Sequence, residues 1–495
     1  MSAGDRHRAY LVRRYRVMAA YAGLTAVIIG VLILTPLLLL FFDRADVRWV
    51  GWYLAPGAGL IAGGYALWRR LAPAAPIHLS VPEAAAVIVW VWLSAMVAGA
   101  IPYFGLEGVG PVRAFFESTS GWTTTGLSVL DVSRTPRLYL LYRSITQLAG
   151  GAGLAIISLS ALTGPLGLGV SAAEGRAEPL VPHVRRSAGL VLRIYLVYIL
   201  GAIPALRLAG MSWFDAVNHA FTALSTGGFS TRVESIGYWP SPRVELVMIV
   251  LMLLGTTSFM TPYLLTRGRV RAALRNRELL VEAIVLPLAI MLLFFGVTWT
   301  LYPSLAFGIR TALFEAVSAL STSGFTIVNY GAWNGLGWLV ITLLMLCGGG
   351  SGSTAGAIKQ FRIYLLARSL YAEVRGAFLP EAAVREIWVW QGEDRRYLTA
   401  RTLLNNGLFI LLYLVAVLLL ALVPAAFGYG MAESLFETAS AIGTVGLSVG
   451  VTGPTTPAPV LLSQCLGMLL GRLEFFTVVI GVSKLAGDWG WGREN

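Results

Sequence analysis

The sequence predicts an all-α integral membrane protein, in which a unit of helix, re-entrant segment and helix occurs four times after two additional N-terminal transmembrane helices. Three observations lead to this fold class. Of the 495 residues, 57% are hydrophobic and only 13% are charged, whereas a soluble domain is about half apolar and about a quarter charged. The apolar residues form runs long enough to cross a bilayer. A short pattern of Thr, Ser and Gly recurs four times between these runs.

The apolar runs define the predicted transmembrane segments, because a membrane helix needs about 20 predominantly apolar residues. Ten segments meet this requirement: 18–42, 50–68, 84–104, 138–162, 188–210, 245–266, 281–304, 334–358, 403–427 and 458–483. An even number of spans places both termini on the same side of the membrane. The connections after the third, fifth, seventh and ninth spans each contain a further apolar stretch of about a dozen residues, which is too short to cross and is typical of a re-entrant segment.

The distribution of basic residues predicts the orientation. The face that holds both termini carries 25 Arg and Lys residues, and the opposite face carries nine. Cytoplasmic segments are enriched in Arg and Lys, so we expect both termini in the cytoplasm. Because these charges separate apolar runs and form no single patch, the net charge of +12 reflects topology and does not indicate nucleic-acid binding.

The recurring pattern is a Thr two residues before a Gly, with Leu or Phe after the Gly. Loop 1 is Thr123-Thr124-Thr125-Gly126, loop 2 is Ser225-Thr226-Gly227-Gly228, loop 3 is Ser321-Thr322-Ser323-Gly324 and loop 4 is Gly443-Thr444-Val445-Gly446. The similarity extends upstream, because Glu117, His219, Glu315 and Glu437 each stand nine residues before the glycine of their loop. One such cluster would be explained by a turn or by close helix packing. Four aligned copies predict a repeated functional element.

Backbone carbonyls are the chemical groups that these loops offer. A short helix that ends at each loop directs its negative C-terminal dipole towards a common axis, and glycine permits backbone angles that turn successive carbonyls inward. Four such loops around one central pore form rings of oxygens that replace the hydration shell of a cation. The predicted ion-binding positions are Thr124, Thr125, Thr226, Gly227, Thr322, Ser323, Thr444 and Val445.

The residues upstream of the loops are expected to play a supporting part. Glu117, Glu315 and Glu437 are predicted to be solvated or hydrogen-bonded acids of the re-entrant helices, and carboxylates at the outer mouth would concentrate cations there. His219 replaces the acid in the second unit, and the sequence offers no reason for this replacement.

The eighth span is interrupted by a segment that we call the glycine-rich loop: Gly348, Gly349, Gly350, Ser351, Gly352, Ser353, Thr354, Ala355 and Gly356. Each glycine destabilises a helix by roughly 1 kcal/mol relative to alanine, so this run predicts a break. A broken helix beside an ion path is a candidate gate, and flexible packing without gating is the alternative. The string around Ser351 also matches that of intramembrane serine hydrolases, although the four histidines are poorly placed to act as its base.

The last span contains Arg472 near its middle and Glu474 two residues later. An arginine at this depth costs about 2.5–3.5 kcal/mol on insertion scales, so it normally faces the protein interior or a water-filled cavity. Arg472 is therefore predicted either to limit cation flux by its charge or to act as a structural strut. In the second case its partner would be Glu474 or the carbonyls of a helix end.

The four loops resemble the selectivity filters of the Trk/Ktr/HKT superfamily of potassium transporters, and the resemblance covers residues 80–485. The two additional N-terminal helices favour the TrkH branch. The resemblance implies a non-enzymatic K+ uptake protein, with K+ bound at the positions named above, the glycine-rich loop as its intramembrane gate and Arg472 beside the ion path. Sodium-conducting members of the plant branch carry Ser where this chain has Gly126, so Gly126 implies K+ selectivity.

The resemblance also implies partners. We expect a homodimer in the plasma (inner) membrane that associates with a cytoplasmic RCK-type, TrkA-like subunit, and this subunit would bind the regulatory nucleotide. No cofactor is expected in this chain, which has K+ as its substrate and lacks a dinucleotide-binding fingerprint. The basic segments 267–277 and 359–402 are candidate docking faces, with membrane lipid headgroups as the alternative ligand.

The predicted units are an N-terminal two-helix addition (1–75), repeat 1 (80–165), repeat 2 (186–280), repeat 3 with the gating loop (281–370), a cytoplasmic linker (371–402) and repeat 4 (403–495). Three other functions stay open at this point. They are a Na+-conducting or Na+/H+-coupled transporter of the same superfamily, an intramembrane serine hydrolase, and a membrane scaffold without transport. The choice between passive and coupled transport, the identity of the nucleotide and the oligomeric state also stay open.

Overall fold

The computed structural model describes residues 3–73, 79–151, 184–378, 380, 387–391 and 394–494. Its helices are α1 Ala3–Leu34, α2 Val50–Leu71, α3 Val81–Ala100, α4 Pro111–Trp122, α5 Arg137–Gly151, α6 Val184–Ala209, α7 Trp213–Leu224, α8 Pro242–Thr256, α9 Met260–Thr266, α10 Val270–Leu274, α11 Arg277–Leu293, α12 Leu305–Leu320, α13 Gly335–Leu346, α14 Gln360–Gly376, α15 Ala400–Ala426, α16 Met431–Gly443, α17 Ala458–Leu473 and α18 Phe475–Glu494. The predicted helical class is confirmed. Within the predicted linker, strands β1 Trp388–Gln391 and β2 Asp394–Tyr397 add an antiparallel hairpin.

Within the described residues, five helical segments are long and apolar enough to cross a membrane: Asp5–Phe41, Val81–Gly105, Gly189–Ala209, Arg277–Leu301 and Ala400–Ala426. Two further spans are bent pairs, since α8 meets α9 at 99° and α17 meets α18 at 101°. The prediction of continuous helices over 245–266 and 458–483 is therefore wrong. The first break follows Gly255 and Thr256, which are weak helix formers, and the second occurs at Glu474, which has a φ of 56°.

The predicted two-helix addition is present as α1 and α2, which pack closely through small residues. A Cβ atom on Gly23 would overlap the carbonyl oxygen of Gly64, and one on Gly30 would overlap that of Gly57. Such contacts between backbones are the usual basis of helix association in a membrane, where lipid is as apolar as the side chains.

The two ends of the chain meet at one face of the molecule. The Tyr15 hydroxyl in α1 donates to Oδ2 of Asp488 in α18 at 2.8 Å. Beside it, Arg14 of α1 forms an ion pair with Glu83 at the start of α3. The N-terminal part of α1 and the C-terminal part of α18 are therefore in direct contact.

A succession of longer helix, short helix and third helix occurs four times. The short helices α4, α7, α12 and α16 end where loops 1 to 4 begin. Their last residues, Trp122, Leu224, Leu320 and Gly443, are all buried. The predicted span 334–358 is helical only to Leu346, and the segment from Cys347 to Lys359 contains no helix, as the glycine-rich loop predicted. The part of span 138–162 after Gly151 lies outside the described residues.

Candidate ion-conducting site

The four loops share an unusual backbone. The threonine of each loop has a left-handed φ, of 57° at Thr124, 51° at Thr226, 54° at Thr322 and 52° at Thr444. The glycine two residues later also has a positive φ, of 96° at Gly126, 78° at Gly228, 71° at Gly324 and 101° at Gly446. A left-handed conformation costs a non-glycine residue roughly 1–2 kcal/mol, so such a residue persists only where its surroundings hold it. The same pair of angles in all four loops identifies one structural unit repeated four times.

The N–H groups of the loops are bound to the short helices. The residue before each glycine donates its N–H to a carbonyl one turn from the helix end: Thr125 to Ser120 at 2.9 Å, Gly227 to Thr222 at 2.8 Å, Ser323 to Ser318 at 3.0 Å and Val445 to Ser440 at 2.9 Å. In loops 1 and 4 the glycine N–H also donates, to Oγ of Ser120 and of Ser440, both at 3.0 Å. Donors that face the helix leave the carbonyls of these residues facing away from it.

The loops close into a ring. A Cβ atom on the glycine of each loop would overlap the carbonyl oxygen of the residue before the glycine in another loop: Gly126 that of Gly227, Gly228 that of Ser323, Gly324 that of Val445, and Gly446 that of Thr125. Loop 1 thus contacts loop 2, loop 2 contacts loop 3, loop 3 contacts loop 4, and loop 4 contacts loop 1. The glycines are required because any side chain would fill the place of a neighbouring carbonyl.

The ring offers a cation a set of equivalent oxygens at the ends of four helices. Negative helix C-termini favour a cation, and carbonyl oxygens in a ring can replace its water ligands. The loop residues themselves are uncharged. All of them are buried except four glycines, which are partly exposed: Gly126, Gly228, Gly324 and Gly446. The arrangement can therefore hold a dehydrated cation by oriented dipoles, without carboxylate ligands.

The acids upstream of the loops are hydrogen-bonded, as one part of the prediction stated. Each accepts from a hydroxyl 11 residues later and from a backbone N–H nearby: Glu117 from Ser128 and Val129 at 3.0 and 3.1 Å, Glu315 from Thr326 and Ile327 at 3.0 and 2.8 Å, and Glu437 from Ser448 and Val449 at 2.8 and 3.2 Å. All three acids are fully buried. They fix the segment after each loop, and their effect on the cation concentration at the outer mouth stays a prediction.

His219 performs the same task in the second unit. Its Nε2 lies 2.9 Å from the hydroxyl of Ser230, which is also 11 residues later, and its Nδ1 lies 2.8 Å from the carbonyl oxygen of Asp215. Because that carbonyl can only accept, Nδ1 carries the proton, and in the neutral ring Nε2 accepts from Ser230. The replacement that the sequence did not explain therefore preserves the link without a buried carboxylate.

The glycine-rich loop lies directly against the ring. The N–H of Gly356 donates to Oγ1 of Thr322 in loop 3 at 3.0 Å. A Cβ atom on Gly356 would overlap Oγ1 of Thr444 in loop 4. Oγ1 of Thr354 contacts the Leu224 carbonyl, just before loop 2, at 3.1 Å. A segment of the third unit thus contacts parts of the second and fourth units where they approach the ring.

The other end of the glycine-rich loop is held by α8 and α11. The Gly350 N–H donates to the carbonyl of Thr256 at 2.9 Å, and the Thr354 hydroxyl donates to that of Gly255 at 2.9 Å. The Ser351 N–H donates to Oε1 of the buried Glu278 at 2.6 Å. The last carbonyls of a helix have no partner within it, so the glycine-rich loop supplies the donors that allow α8 to end in the protein interior.

Arg472 joins the ring to the glycine-rich loop. Its Nη1 donates to Oγ1 of Thr124 at 3.0 Å and to the carbonyl of Thr354 at 2.8 Å, and its Nη2 donates to the carbonyl of Gly150 at 2.5 Å. The prediction that Glu474 could be its partner is wrong, because Glu474 forms an ion pair with Arg362 at 2.5 Å. The bend at Glu474 turns these two neighbouring side chains to different partners. A positive charge consequently lies at the threonine of loop 1.

Residues 60–489 match the TrkH family, described as cation transport proteins. The chain belongs to the TrkH family. The match includes all four loops, the glycine-rich loop and Arg472.

Relatives of known name agree with this membership. The chain is 29% identical to the Trk system potassium uptake protein TrkH of Halomonas elongata, over 94% of this chain and 98% of that protein. It is 30% identical to the potassium uptake protein TrkG of Escherichia coli, over 82% and 85%. The crystal structure of the potassium transporter TrkH from Vibrio parahaemolyticus has a TM-score of 0.83 and 25% identity, and the similarity covers 94% of this chain and 98% of that chain.

Sequence reasoning missed three polar residues that hold this TrkH-family site together. They are Arg143, Gln147 and Glu278. Arg143 is buried in α5 and donates to Glu117 at 2.8 Å. It lies within the predicted span 138–162, so the rule that singled out Arg472 would have identified it as well. Gln147 precedes Gly150 and Gly151, and close packing through such small residues explains that stretch of sequence without a polar contact. Glu278 lies outside the predicted spans.

Proposed function

We propose that this TrkH-family protein takes up K+ through a single-chain pore in which loops 1 to 4 form the selectivity filter. The closed ring of loops is the observation that supports the proposal most directly. The proposed K+ positions are Thr124, Thr125, Thr226, Gly227, Thr322, Ser323, Thr444 and Val445, and the glycine of each loop permits the approach of its neighbour. The named relatives are potassium uptake proteins, which favours K+ as the substrate.

The contacts of the histidine that a serine hydrolase would need favour transport without covalent chemistry. A serine hydrolase would need a base directed at Ser351. His219 is not available as this base, because its ring nitrogens contact Asp215 and Ser230.

Flux measurements on purified protein in liposomes test the proposal. We expect K+ uptake with little Na+ uptake in the wild-type protein, and a lower K+/Na+ permeability ratio in Gly126→Ser, because its side chain would displace the Gly227 carbonyl. Gly453→Ser is the matched control, since Gly453 has open space around it. Equal passage of Na+ and K+ by the wild-type protein would instead support a sodium-conducting member, and an unchanged ratio in Gly126→Ser would remove loop 1 from the filter. Comparison with and without a proton gradient separates passive from coupled transport.

We further propose that the glycine-rich loop is the gate and that Arg472 limits flux. The loop contacts Thr322 and Thr444 at one end and Glu278 at the other, so it stands across the path that an ion leaving the ring would take. Deletion of residues 350–353 is expected to raise K+ flux several-fold. Unchanged flux in a folded deletion variant would contradict the assignment of a gate.

We also propose the assembly and division of the chain that the resemblance implies: a homodimer in the plasma (inner) membrane with both termini cytoplasmic, an N-terminal pair of helices, four repeats, and a cytoplasmic RCK-type subunit that binds the nucleotide. Two predicted docking faces adjoin each other, because the Arg275 guanidinium lies 4.4 Å from the centre of the Trp390 ring. This contact between the end of α10 and the β hairpin supports one cytoplasmic partner for both segments.

Binding of a purified RCK-type subunit to the detergent-solubilised protein tests this assembly. Arg271→Glu, at an exposed position of α10, is expected to weaken the complex, whereas Arg134→Glu, at an exposed position of the opposite predicted face, should not. If Arg271→Glu weakens only the binding to vesicles of anionic lipid, the surface is a lipid contact. Light scattering of the purified protein measures the predicted dimer.

A further inference from the structure

Loop 2 differs from the other three at the residue before its second glycine. That position is occupied by Thr125, Ser323 and Val445 in loops 1, 3 and 4, but by Gly227 in loop 2. In loops 1 and 3 the side chain there has a structural role. The hydroxyl of Thr125 lies 2.8 Å from that of Thr123, and the hydroxyl of Ser323 lies 2.8 Å from that of Ser321. Loop 2 cannot form this link.

The side chain of Gln147 occupies the vacant place. Gln147 belongs to α5, the third helix of the first unit, and is fully buried. Its Nε2 donates to the carbonyl of Gly227 at 2.5 Å, and its Oε1 accepts from the N–H of Phe229 at 3.2 Å. These two partners fix the orientation of the amide, because one can only accept and the other can only donate. A Cβ atom on Gly227 would overlap the Gln147 amide.

The carbonyl that Gln147 holds is one of the four in the ring. In the part of the chain that the structure describes, the corresponding carbonyls of Thr125, Ser323 and Val445 accept no hydrogen bond. Among these four carbonyls, that of Gly227 is thus the one whose oxygen both accepts from a side-chain amide and belongs to the ring. Glycine has no Cβ atom that would restrict its backbone angles. Without the hydrogen bond from Gln147, the Gly227 carbonyl would therefore be free to rotate out of the ring.

The helix that carries Gln147 also holds the outer part of loop 2. Arg143 lies one turn earlier on the same face of α5, as an i, i+4 spacing requires. Its Nη1 donates to the carbonyl of Ser230 at 3.3 Å, and its guanidinium lies 3.8 Å from the centre of the Phe229 ring. Helix α5 therefore positions loop 2 from Gly227 to Ser230.

We propose that Gln147 is a positioning residue that sets ion specificity: it fixes the Gly227 carbonyl in the ring and so determines how well the filter discriminates K+ from Na+. Discrimination depends on the number and the freedom of the coordinating carbonyls, and Gln147 controls both at one corner. The proposal rests on the proposed K+ transport.

The first test removes the amide and measures reversal potentials in liposomes under K+ and Na+ gradients. We expect Gln147→Ala to lower the K+/Na+ permeability ratio about tenfold, which corresponds to about 1.4 kcal/mol. Gln147→Glu keeps the size but, as a carboxylate, cannot donate to Gly227, and above the pKa of that carboxyl it should lower the ratio at least as far. Gln464→Ala is the matched control. Gln464 is a buried glutamine of α17 that bonds Thr452 instead of the ring, so its loss should leave the ratio unchanged.

The second test restores the missing side chain. G227S makes loop 2 identical to loop 3 from its first residue to the following Phe, and Gly227 has no positive φ that would forbid a side chain. The three atoms nearest to a Cβ at this position all belong to Gln147. We therefore expect G227S alone to lose selectivity, and the double variant G227S/Q147A to recover a ratio well above that of either single variant.

Three results would overturn the proposal. The first is a wild-type ratio in folded Gln147→Ala and Gln147→Glu. The second is a double variant no better than its parents. The third is failure of every Gln147 variant to fold while Gln464→Ala folds, since this would assign Gln147 to stability alone. These results are distinct from a failure of the proposed function, in which the wild-type protein itself would show no preference for K+.

Discussion

The four loops of the ring are nearly equivalent, whereas the structure beneath them comes unequally from the four units. Every loop has the same pair of positive φ angles and the same link to its short helix. Beneath the ring, the third unit supplies the glycine-rich loop and the fourth supplies Arg472. Within the described residues, the bent pairs belong to the second and fourth units. A symmetric ring suits a monatomic ion, because the charge of the ion is spherically symmetric. An asymmetric inner region suits control, because only one obstruction is needed in a single path.

The largest expected effect comes from substitutions that break the ring at its glycines. Gly324→Ala and Gly446→Ala should each reduce K+ flux by at least about tenfold, because a left-handed φ costs a non-glycine residue about 1–2 kcal/mol and the new methyl group would overlap Val445 or Thr125. Uptake of K+ by liposomes measures the change, with Gly453→Ala as the control. If the two variants differed strongly from each other, the loops would not be equivalent.

The next effect concerns the inner region alone. Arg472→Ala removes a positive charge beside Thr124 and should raise K+ conductance about tenfold, a barrier lower by about 1.4 kcal/mol. The permeability ratio should stay unchanged, since Arg472 contacts the side chain of Thr124 and not the carbonyls that close the ring. Arg134→Ala, at a highly exposed position, is the control for loss of a positive charge. A variant with unchanged conductance and a lower melting temperature would show that Arg472 is a strut.

The smallest expected effect comes from substitutions of His219, which test whether the second unit is equivalent to the other three. His219→Gln retains a group that can accept from Ser230, so we expect the permeability ratio to stay within about twofold of wild type. His219→Ala removes both hydrogen bonds of a buried ring and should destabilise the protein by roughly 1–3 kcal/mol for each polar partner left unsatisfied. Thermal unfolding of the two variants measures this difference. Equal stabilities would indicate that the link from residue 219 to residue 230 is dispensable.

Residues behind the ring explain how loops of different sequence adopt one backbone. Repeat 1 uses Glu117 with Arg143, repeat 2 uses His219, and the other two units use Glu315 and Glu437. In loop 2, Gln147 stands where another loop has its own side chain. The ring is thus conserved in geometry while its support differs from unit to unit.

The sequence by itself determined the class of protein, the four loops and the break at the glycine-rich loop. These features depend on local properties: the length of apolar runs, the backbone freedom of glycine and its low helix propensity. Each can be read within a window of about 20 residues.

Only the tertiary structure decided the partners of the buried polar groups. The contacts of Arg472 with Thr124 and Thr354, and those of Gln147 with Gly227, join residues that are far apart in the sequence. The bends after Thr256 and at Glu474 belong to the same class, because the first is stabilised by donors from the glycine-rich loop and the second follows the separate partners of Arg472 and Glu474. A buried polar group must find a partner, but the sequence alone does not say which segment will supply it.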